Sequence, residues 1–340
     1  MGPGTARPDG GRPMTARVVY VTGCGRSGTS ALAGVLRQFG LHVPGPEVEA
    51  DASNPRGFSE PQWVVDFHDA LLRSAGVETS DPRPIAWHLV DRAGAEAEAL
   101  GQIQTWLTAQ VGAHGNLVIK DPRLLWFLEL WQEAATGAGA KASCITMLRP
   151  PAEVVGSKAA YYKGRGAVDR VAGWINLMLG TELATRATPR AFVRYRDLIH
   201  DWDQPVFGAA AALDLPMVDP GNTAAVHRVD AFIDPTPHRV EATWHDVPIP
   251  TPLRALADDT WAALDSLPGH DDAGTRAEFD RLRALYPYVH RKVASSPARR
   301  IARMVPTEVV PSAVRQSVAG MLRRSPDRAS RPRRGSHLAT

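Results

Sequence analysis

A glycine-rich turn between a predicted strand and a predicted helix constrains this chain more than any other feature. Residues 17–23, RVVYVTG, are mostly β-branched or aromatic and predict a short strand. From Thr29 to Phe39, apolar residues recur every three or four positions, which predicts an amphipathic helix that ends before Gly40. A strand, a tight turn and a helix in this order are typical of a phosphate-binding α/β unit.

The rest of the chain alternates predicted strands with predicted helices. This alternation indicates a three-layer α/β fold, in which a central parallel sheet carries helices on both faces. Ligands of such sheets bind at the carboxyl ends of the strands, so we expect the motifs that follow strand ends to form one site. Further strands are predicted at residues 117–119, 142–148 and 191–195, a long loop at residues 42–60, and helices at residues 61–75, 92–110, 124–135, 168–187 and 252–292, with another beginning at Pro150-Pro151.

Composition divides the 340 residues into one large domain and two flanking segments. We expect a disordered N-terminus over residues 1–16, one folded domain over residues 17–292, and a basic, partly helical or disordered tail over residues 293–340. From Arg291 onward there are twelve Lys or Arg and two acidic residues, so the overall net charge of +3 leaves −7 on the part before it. The high pI therefore comes from the tail and does not indicate that the body binds nucleic acid.

The sequence predicts neither a membrane span nor a secretion signal. No apolar run approaches the ~18 residues that cross a bilayer, and the first 17 residues contain no apolar stretch of the signal-peptide kind. Cys24 and Cys144 are in or beside predicted buried strands, which favours core packing over a disulfide or a metal pair. These features predict a cytoplasmic protein. The alternating apolar and Arg residues at 298–324 fit either a solvated helix or peripheral attachment to the anionic inner face of the membrane.

The loop at residues 23–30 has the chemistry to hold an oxyanion. Its G-x-x-x-x-G spacing is that of a phosphate loop, but Thr29 stands where nucleotide hydrolases have lysine. Gly28 lets the backbone approach an anion at the helix N-terminus, where N–H groups and the helix dipole favour negative charge. Arg26 supplies a forked positive charge, and Thr29 and Ser30 add hydroxyl groups. The alternatives are a purely structural turn, and a kinase or nucleotide hydrolase, which the missing lysine disfavours.

The run Gly25-Arg26-Ser27-Gly28-Thr29-Ser30 resembles the 5′-phosphosulfate loop of sulfotransferases that use 3′-phosphoadenosine-5′-phosphosulfate (PAPS). It matches the Arg-Ser-Gly-Thr variant of bacterial and carbohydrate-directed members, whereas cytosolic eukaryotic members carry Lys in place of Arg26. The family holds the 3′-phosphate with an Arg at a strand end and a Ser eight residues later, a spacing that Arg149 and Ser157 match. These motifs span roughly residues 17–200. The resemblance implies PAPS as donor substrate and a P-loop-like sulfotransferase fold.

The positions of Arg149 and Ser157 favour a phosphate site even without the family resemblance. Arg149 leaves a predicted central strand and can fork onto a phosphate, while Ser157 is two helical turns further on and faces back. The alternative is that Arg149 only caps a carbonyl or pairs with an acid.

A sulfuryl acceptor needs a base, and Glu60 is the first candidate. It ends the run Gly57-Phe58-Ser59-Glu60, which resembles a Gly-aromatic-x-Glu pattern of related bacterial proteins. The alternative for Glu60 is a charge that complements the dipole of the helix it precedes. Glu47 is the rival carboxylate. His68 and His88 are further candidates because cytosolic members of the family use histidine, although the helical register of His68 favours a structural role.

Lys120 and Arg123, in the run Ile119-Lys120-Asp121-Pro122-Arg123, are the candidate cations for the transferred group. The alternative is an ion pair of either residue with Asp121. No metal is predicted, because the sequence has neither a Cys/His cluster nor a zinc-binding helix motif.

These features together predict a PAPS-dependent sulfotransferase that acts on an acceptor hydroxyl. A carbohydrate or lipid-linked glycan is the favoured acceptor because of the glutamate base, and no nucleic-acid partner is expected. Two alternatives stay open: a P-loop kinase or nucleotide hydrolase, and a nucleotide-binding protein of the same fold that has lost turnover.

Overall fold

The computed structural model describes residues 15–94, 97–162, 164–233 and 242–295. Its centre is a parallel sheet of four strands, each rich in apolar residues. The strands are β1 (Arg17–Thr22), β2 (Leu117–Lys120), β3 (Lys141–Leu148) and β4 (Arg190–Arg194). Their order across the sheet is β2-β1-β3-β4, so β1 and β3 are the central strands.

Helices connect the strands and continue beyond the sheet. The helices of the described part are α1 (Thr29–Gln38), α2 (Gln62–Ser74), α3 (Ala86–Gly94), α4 (Ala97–His114), α5 (Leu128–Gly137), α6 (Pro151–Tyr161), α7 (Ala167–Ala184), α8 (Tyr195–His200), α9 (Asp203–Ala212), α10 (Thr223–Phe232), α11 (Thr251–Ser266) and α12 (Ala273–Ala294), with a 3₁₀ turn at Leu124–Phe127 before α5. None of these described helices is both long enough and apolar enough to cross a membrane.

Both faces of the sheet are covered, because side chains of β1 alternate between two hydrophobic cores. Val18 and Tyr20 join one core with α2 to α7, α11 and α12. Val19 and Val21 join the other with α1, α9 and α10. A parallel strand buried on both sides needs an almost continuous apolar sequence, which β1 has. The predicted α/β class, with a central parallel sheet between helical layers, is confirmed.

Each predicted strand is present within one or two residues of its expected bounds, and both cysteines are buried in the core. Two helix predictions needed correction. The segment expected as one helix at residues 92–110 includes the end of α3, which begins at Ala86, and most of α4, which begins at Ala97; residues 95 and 96 lie outside the described part. The segment 252–292 contains two helices, because Pro268 and Gly269 fall between α11 and α12.

The sheet register brings all four strand ends to one edge. Val21 of β1 is level with Lys120 of β2, and Leu148 of β3 is level with Arg194 of β4. The glycine-rich loop after β1, Lys120 at the end of β2 and Arg149 after β3 therefore face the same space. Charges at these strand ends can act together on one ligand, as expected for a parallel sheet.

Candidate active site

Hydrogen bonds within the glycine-rich loop hold its shape. Ser27 Oγ donates to the carbonyl of Cys24 at 2.5 Å, and Gly28 takes φ +93° as the residue that caps α1. The first N–H groups of α1 have no acceptor within the helix, so they are available to an anion placed at this end. Any side chain at position 28 would overlap the ring of Tyr195, the first residue of α8. Glycine is therefore required there for both backbone conformation and space.

Arg26 places its guanidinium on α6 and not over its own loop. Its Nε donates to Ser157 Oγ at 3.1 Å, its Nη1 donates to the Ser53 carbonyl at 3.1 Å, and the group stacks over the ring of Tyr161 at 4.4 Å. The sequence predicted a charge inside the loop. The structure instead directs this charge toward Ser157, the residue predicted for the second phosphate.

Arg149 turns toward the glycine-rich loop. Its Nη1 donates to the Arg26 carbonyl at 3.0 Å, and its guanidinium lies 4.3 Å from the centre of the Tyr195 ring. Its Nε also donates to Glu153 Oε2 at 2.9 Å. Arg149 is 6% exposed. Arg149 therefore binds a carbonyl and pairs with an acid, as the alternative interpretation expected. It does so at the edge of the predicted anion site.

Glu60 and Lys120, predicted as separate base and cation, form one buried ion pair. Lys120 Nζ lies 2.5 Å from Glu60 Oε1 and also donates to Ser30 Oγ at 3.1 Å and to the Phe58 carbonyl at 3.2 Å. The Val48 N–H, which donates to the Glu60 carbonyl at 2.9 Å, ties the backbone of Glu60 across the loop. Burial raises the pKa of the Glu60 carboxyl; the charge of Lys120 opposes the shift, and that of Asp121 adds to it.

Asp121, the alternative ion-pair partner of Lys120 or Arg123, pairs with Arg123, whereas Lys120 pairs with Glu60. Asp121 accepts from Arg123 Nη1 at 2.7 Å and from His68 Nδ1 at 2.6 Å. His68 Nε2 accepts from the indole N–H of Trp131 at 2.8 Å, so the proton of this neutral ring is on Nδ1. Burial acts to raise the pKa of Asp121, but His68 and Arg123 hold it below its ordinary value. His68 is fully buried with both ring nitrogens used, as expected for a structural histidine.

The other base candidates lie in less suitable surroundings. Glu47 pairs with Arg37 in the last turn of α1, and that side-chain pair is a third or more exposed. His88 is an exposed residue of α3. Arg123, the second candidate cation, forms ion pairs with Asp121 and Asp69. Of the candidate bases, Glu60 alone is a buried carboxylate in contact with the glycine-rich loop's partner Lys120.

A cavity of about 860 Å³ opens at this edge of the sheet, near the upper end of the roughly 300–1,000 Å³ range of small-molecule sites. The glycine-rich loop, Glu60, Lys120, Arg149 and Ser157 all line it. Its described lining contains nine basic and three acidic side chains, a surplus of six positive charges. Such a surplus suits a multiply charged anion. Within the described residues, no group of three His, Cys, Asp or Glu side chains is placed to hold a metal ion.

Several lining residues were missed by the sequence interpretation. They are Asn54, whose side chain donates to Ser30 Oγ at 3.2 Å, Tyr195 of α8, and three basic residues from α6 onward, namely Lys158, Arg165 and Arg170. Only Lys158 had a signal in the sequence, since it directly follows Ser157. The fold was needed to bring the others to the cavity.

Comparison with known proteins adds little to this geometry. No protein-family model matches the chain, and no curated protein matches it. One solved structure, a sulfotransferase domain from the Synechococcus PCC 7002 olefin synthase, aligns over 81% of this chain and 95% of that one, with 16% identity and a TM-score of 0.36. A superposition this loose does not establish a shared fold, so the function has to be argued from the site's own residues.

Proposed function

We propose that this protein is a sulfotransferase that moves the sulfuryl group of PAPS to an acceptor hydroxyl. The observation that carries the proposal is the meeting of Arg149 and Ser157 with Arg26 of the glycine-rich loop. Arg149 reaches the Arg26 backbone and Ser157 reaches its side chain, each within about 3.1 Å. Two anion-binding groups next to each other at one sheet edge suit a nucleotide that carries phosphate at both its 3′ and 5′ positions.

The donor would use the two groups differently. The N-terminus of α1, with the backbone of Gly25 to Gly28 and the hydroxyls of Thr29 and Ser30, would hold the 5′-phosphosulfate. Arg149 and Ser157, together with the guanidinium of Arg26, would hold the 3′-phosphate. Thr29 in place of the usual lysine argues against a magnesium–triphosphate ligand in the same loop.

The reaction would be an in-line displacement at sulfur. The acceptor oxygen forms a bond to sulfur, and the bond between sulfur and the 5′-phosphate oxygen breaks. Glu60 accepts the hydroxyl proton, which leaves a sulfate ester and 3′-phosphoadenosine-5′-phosphate (PAP). Lys120 suits the task of neutralising charge on the transferred group, because its ammonium contacts both Ser30 of the donor loop and the carboxyl of Glu60.

We place the acceptor among carbohydrates or lipid-linked glycans and the protein in the cytoplasm, in agreement with the carboxylate base and the sequence composition. The large cavity supports an acceptor that is bound beside the nucleotide.

Calorimetric titration of PAP, AMP and ATP tests the donor site directly. The wild-type protein should bind PAP more tightly than AMP or ATP. Arg149→Ala should weaken PAP binding by about 1.5–3 kcal/mol, roughly 10- to 150-fold, and leave AMP nearly unchanged, because only the 3′-phosphate contact is lost. Arg196→Ala is the matched control, since the side chain of Arg196 is 76% exposed. Equal binding of PAP and AMP by the wild type would overturn the proposal.

A further inference from the structure

Three basic side chains line the cavity near Ser80, and none of them is assigned to the donor. Lys158 Nζ donates to Ser80 Oγ at 2.9 Å, and Arg165 Nη1 donates to the Ser80 carbonyl at 2.5 Å. Arg170 Nε donates to the Arg165 carbonyl at 2.9 Å. Lys158, Arg165 and Arg170 all line the same cavity as Glu60, and we call them the basic triad.

The basic triad is poorly neutralised by the protein. Among the described residues, neither Lys158 nor Arg170 forms an ion pair with a carboxylate, and the two are only 8% and 5% exposed. Arg165 pairs with Glu78, whose side chain is 67% exposed, and the charge of Asp169 also acts on it, so the missing counter-charge concerns Lys158 and Arg170. Burial lowers the pKa of Arg170, and the neighbouring charge of Arg165 lowers it further. A buried cation without a counter-charge is unfavourable, so this end of the cavity favours an anionic ligand.

Lys158 also has donor capacity left. An ammonium group has three N–H bonds, and Ser80 Oγ and the Cys24 thiol at 3.1 Å are the described acceptors of two of them. A thiol is a weak acceptor, so Ser80 Oγ is the one strong acceptor described for the buried ammonium of Lys158. An oxyanion would supply a stronger one.

Lys158 leaves α6 in a different direction from Ser157, which is assigned to the donor's 3′-phosphate. Ser157 and Lys158 are consecutive on α6, so their side chains leave the helix about 100° apart. Ser157 contacts the Arg26 side chain, whereas Lys158 contacts Ser80, in the segment between α2 and α3, and the Cys24 thiol at the start of the glycine-rich loop. The two residues therefore have different partners, and no described hydrogen bond joins the Lys158 side chain to a group assigned to the donor.

The segment that carries Ser80 is fixed in place, as a preformed subsite requires. Gly173 of α7 lets it approach, because a Cβ at that position would lie 2.5 Å from the Ser80 carbonyl oxygen. Asn176, one turn along α7, donates to the carbonyls of Asp81 and Arg83 at 2.9 and 3.0 Å. The geometry of the basic triad is thus set by the packing of α7 against this segment.

We propose that the basic triad is an acceptor subsite for an oxyanion, so that the hydroxyl compound sulfated here also carries a carboxylate, phosphate or sulfate group. This inference rests on the proposed sulfotransferase function, which assigns other residues of the cavity to the nucleotide. A charged group held at Lys158 and Arg170 would fix the orientation of the acceptor and leave its hydroxyl to Glu60.

Probe binding to the PAP-saturated protein tests the proposal. Calorimetry would compare glucose with glucuronic acid, glucose 6-phosphate and glucose 6-sulfate, and the ranking of these three shows which oxyanion is preferred. We expect at least one charged probe to bind about tenfold or more tightly than glucose, the effect of one charge-assisted hydrogen bond. Lys158→Met should remove most of this preference and leave PAP affinity within about twofold of the wild type. Lys141→Met, a change of the same charge at an exposed position, is the control.

The outcomes separate this proposal from the proposed function. PAP binding with no preference between glucose and any charged probe would overturn the subsite and leave the donor site standing. If PAP does not bind, the same titrations on the free protein decide: a preference lost in Lys158→Met supports an oxyanion site, and no preference overturns it. Arg165→Ala, at a side chain that is 28% exposed, provides the second variant if Lys158→Met does not fold.

Discussion

Glu60 and Lys120 are sixty positions apart in the chain and form one buried unit beside the glycine-rich loop. The ammonium of Lys120 touches the hydroxyl of Ser30 and the carboxyl of Glu60. Burial raises the pKa of that carboxyl and so makes it a stronger base than an exposed glutamate. If Glu60 accepts the hydroxyl proton, its loss should affect transfer and spare donor binding.

Glu60→Gln keeps the shape of the side chain and removes its basicity. We expect transfer from radiolabelled PAPS, measured on an acceptor found by screening neutral and anionic oligosaccharides, to fall by about 10²- to 10⁴-fold. PAP affinity should stay within about twofold. Glu47→Gln is the matched control, because Glu47 pairs with Arg37 and is not part of the Glu60–Lys120 ion pair. Unchanged transfer in Glu60→Gln would exclude Glu60 as the base.

The pH dependence of transfer tests the coupling between Glu60 and Lys120. A base works only when deprotonated, so the rate should rise with pH through a Glu60 pKa that lies above its ordinary value of 4.5. The charge of Lys120 holds that pKa down. Lys120→Met should therefore move the acidic limb of the rate profile to higher pH, besides lowering the maximum rate. If the acidic limb lies at the same pH in both proteins, it does not reflect the titration of the Glu60 carboxyl.

The residues of the site differ in how far sequence could predict them. The glycine-rich loop, Arg149 and Ser157 follow predicted strands, and the parallel sheet brings them together as expected. The pairing of Lys120 with Glu60 was not predictable, because a carboxylate from the long loop and a lysine from β2 have no fixed sequence spacing. The orientation of Arg26 depends on Tyr161 and Ser157, which only the packing of α6 beside the loop brings within reach.

At the level of elements, one buried carboxylate joins three parts of the fold. Glu182 of α7 has a fully buried side chain and pairs with Arg186 of the next turn, Arg190 at the start of β4 and Arg283 of α12. These contacts connect the end of α7 to the edge strand of the sheet and to α12. Loss of the carboxylate charge would leave three arginines around a neutral group.

Glu182→Gln should therefore reduce the free energy of unfolding by about 3–5 kcal/mol, the range for a broken buried pair. Urea unfolding followed by circular dichroism measures this. Glu278→Gln is the control, because Glu278 pairs with Arg281 on an exposed face of α12 and such pairs contribute only about 0–1 kcal/mol. If the two variants are equally stable, the Glu182 cluster does not hold these elements together.

Sequence patterns predicted the strands better than the helices outside the sheet. Each strand is a short apolar run bounded by polar or turn residues. Helices α8 to α10 were not predicted, because α8 has only six residues and the alanines of α9 show little helical periodicity. The Glu182 cluster was not visible either, since its arginines come from separate elements that the sequence does not place together.

For the whole molecule, charge is distributed unevenly along the chain. Twelve basic residues lie from Arg291 onward, and the remainder has a net charge of −7. The tail prediction falls on residues outside the described part of the structure, which ends at Ser295. We propose that this tail holds the protein on an anionic membrane, where each Lys or Arg near the surface contributes about 1 kcal/mol.

A protein truncated after Ala294 should lose this attachment. In sedimentation with vesicles that contain phosphatidylserine, the full chain is expected in the pellet and the truncated chain in the supernatant. Neutral phosphatidylcholine vesicles and high salt are the controls, since both should release the full chain. A full chain that stays in the supernatant with the acidic vesicles would contradict the prediction.

The ring of Tyr195 lies against both Gly28 and the guanidinium of Arg149, so one side chain contacts both groups that we propose bind the donor's phosphates. A larger residue at 28 would push on the ring, and a smaller one at 195 would leave the arginine without its stacking surface. Attempts to change the nucleotide preference by altering one of these positions at a time should give inactive proteins. Variants that change positions 28, 149 and 195 together are the ones to search.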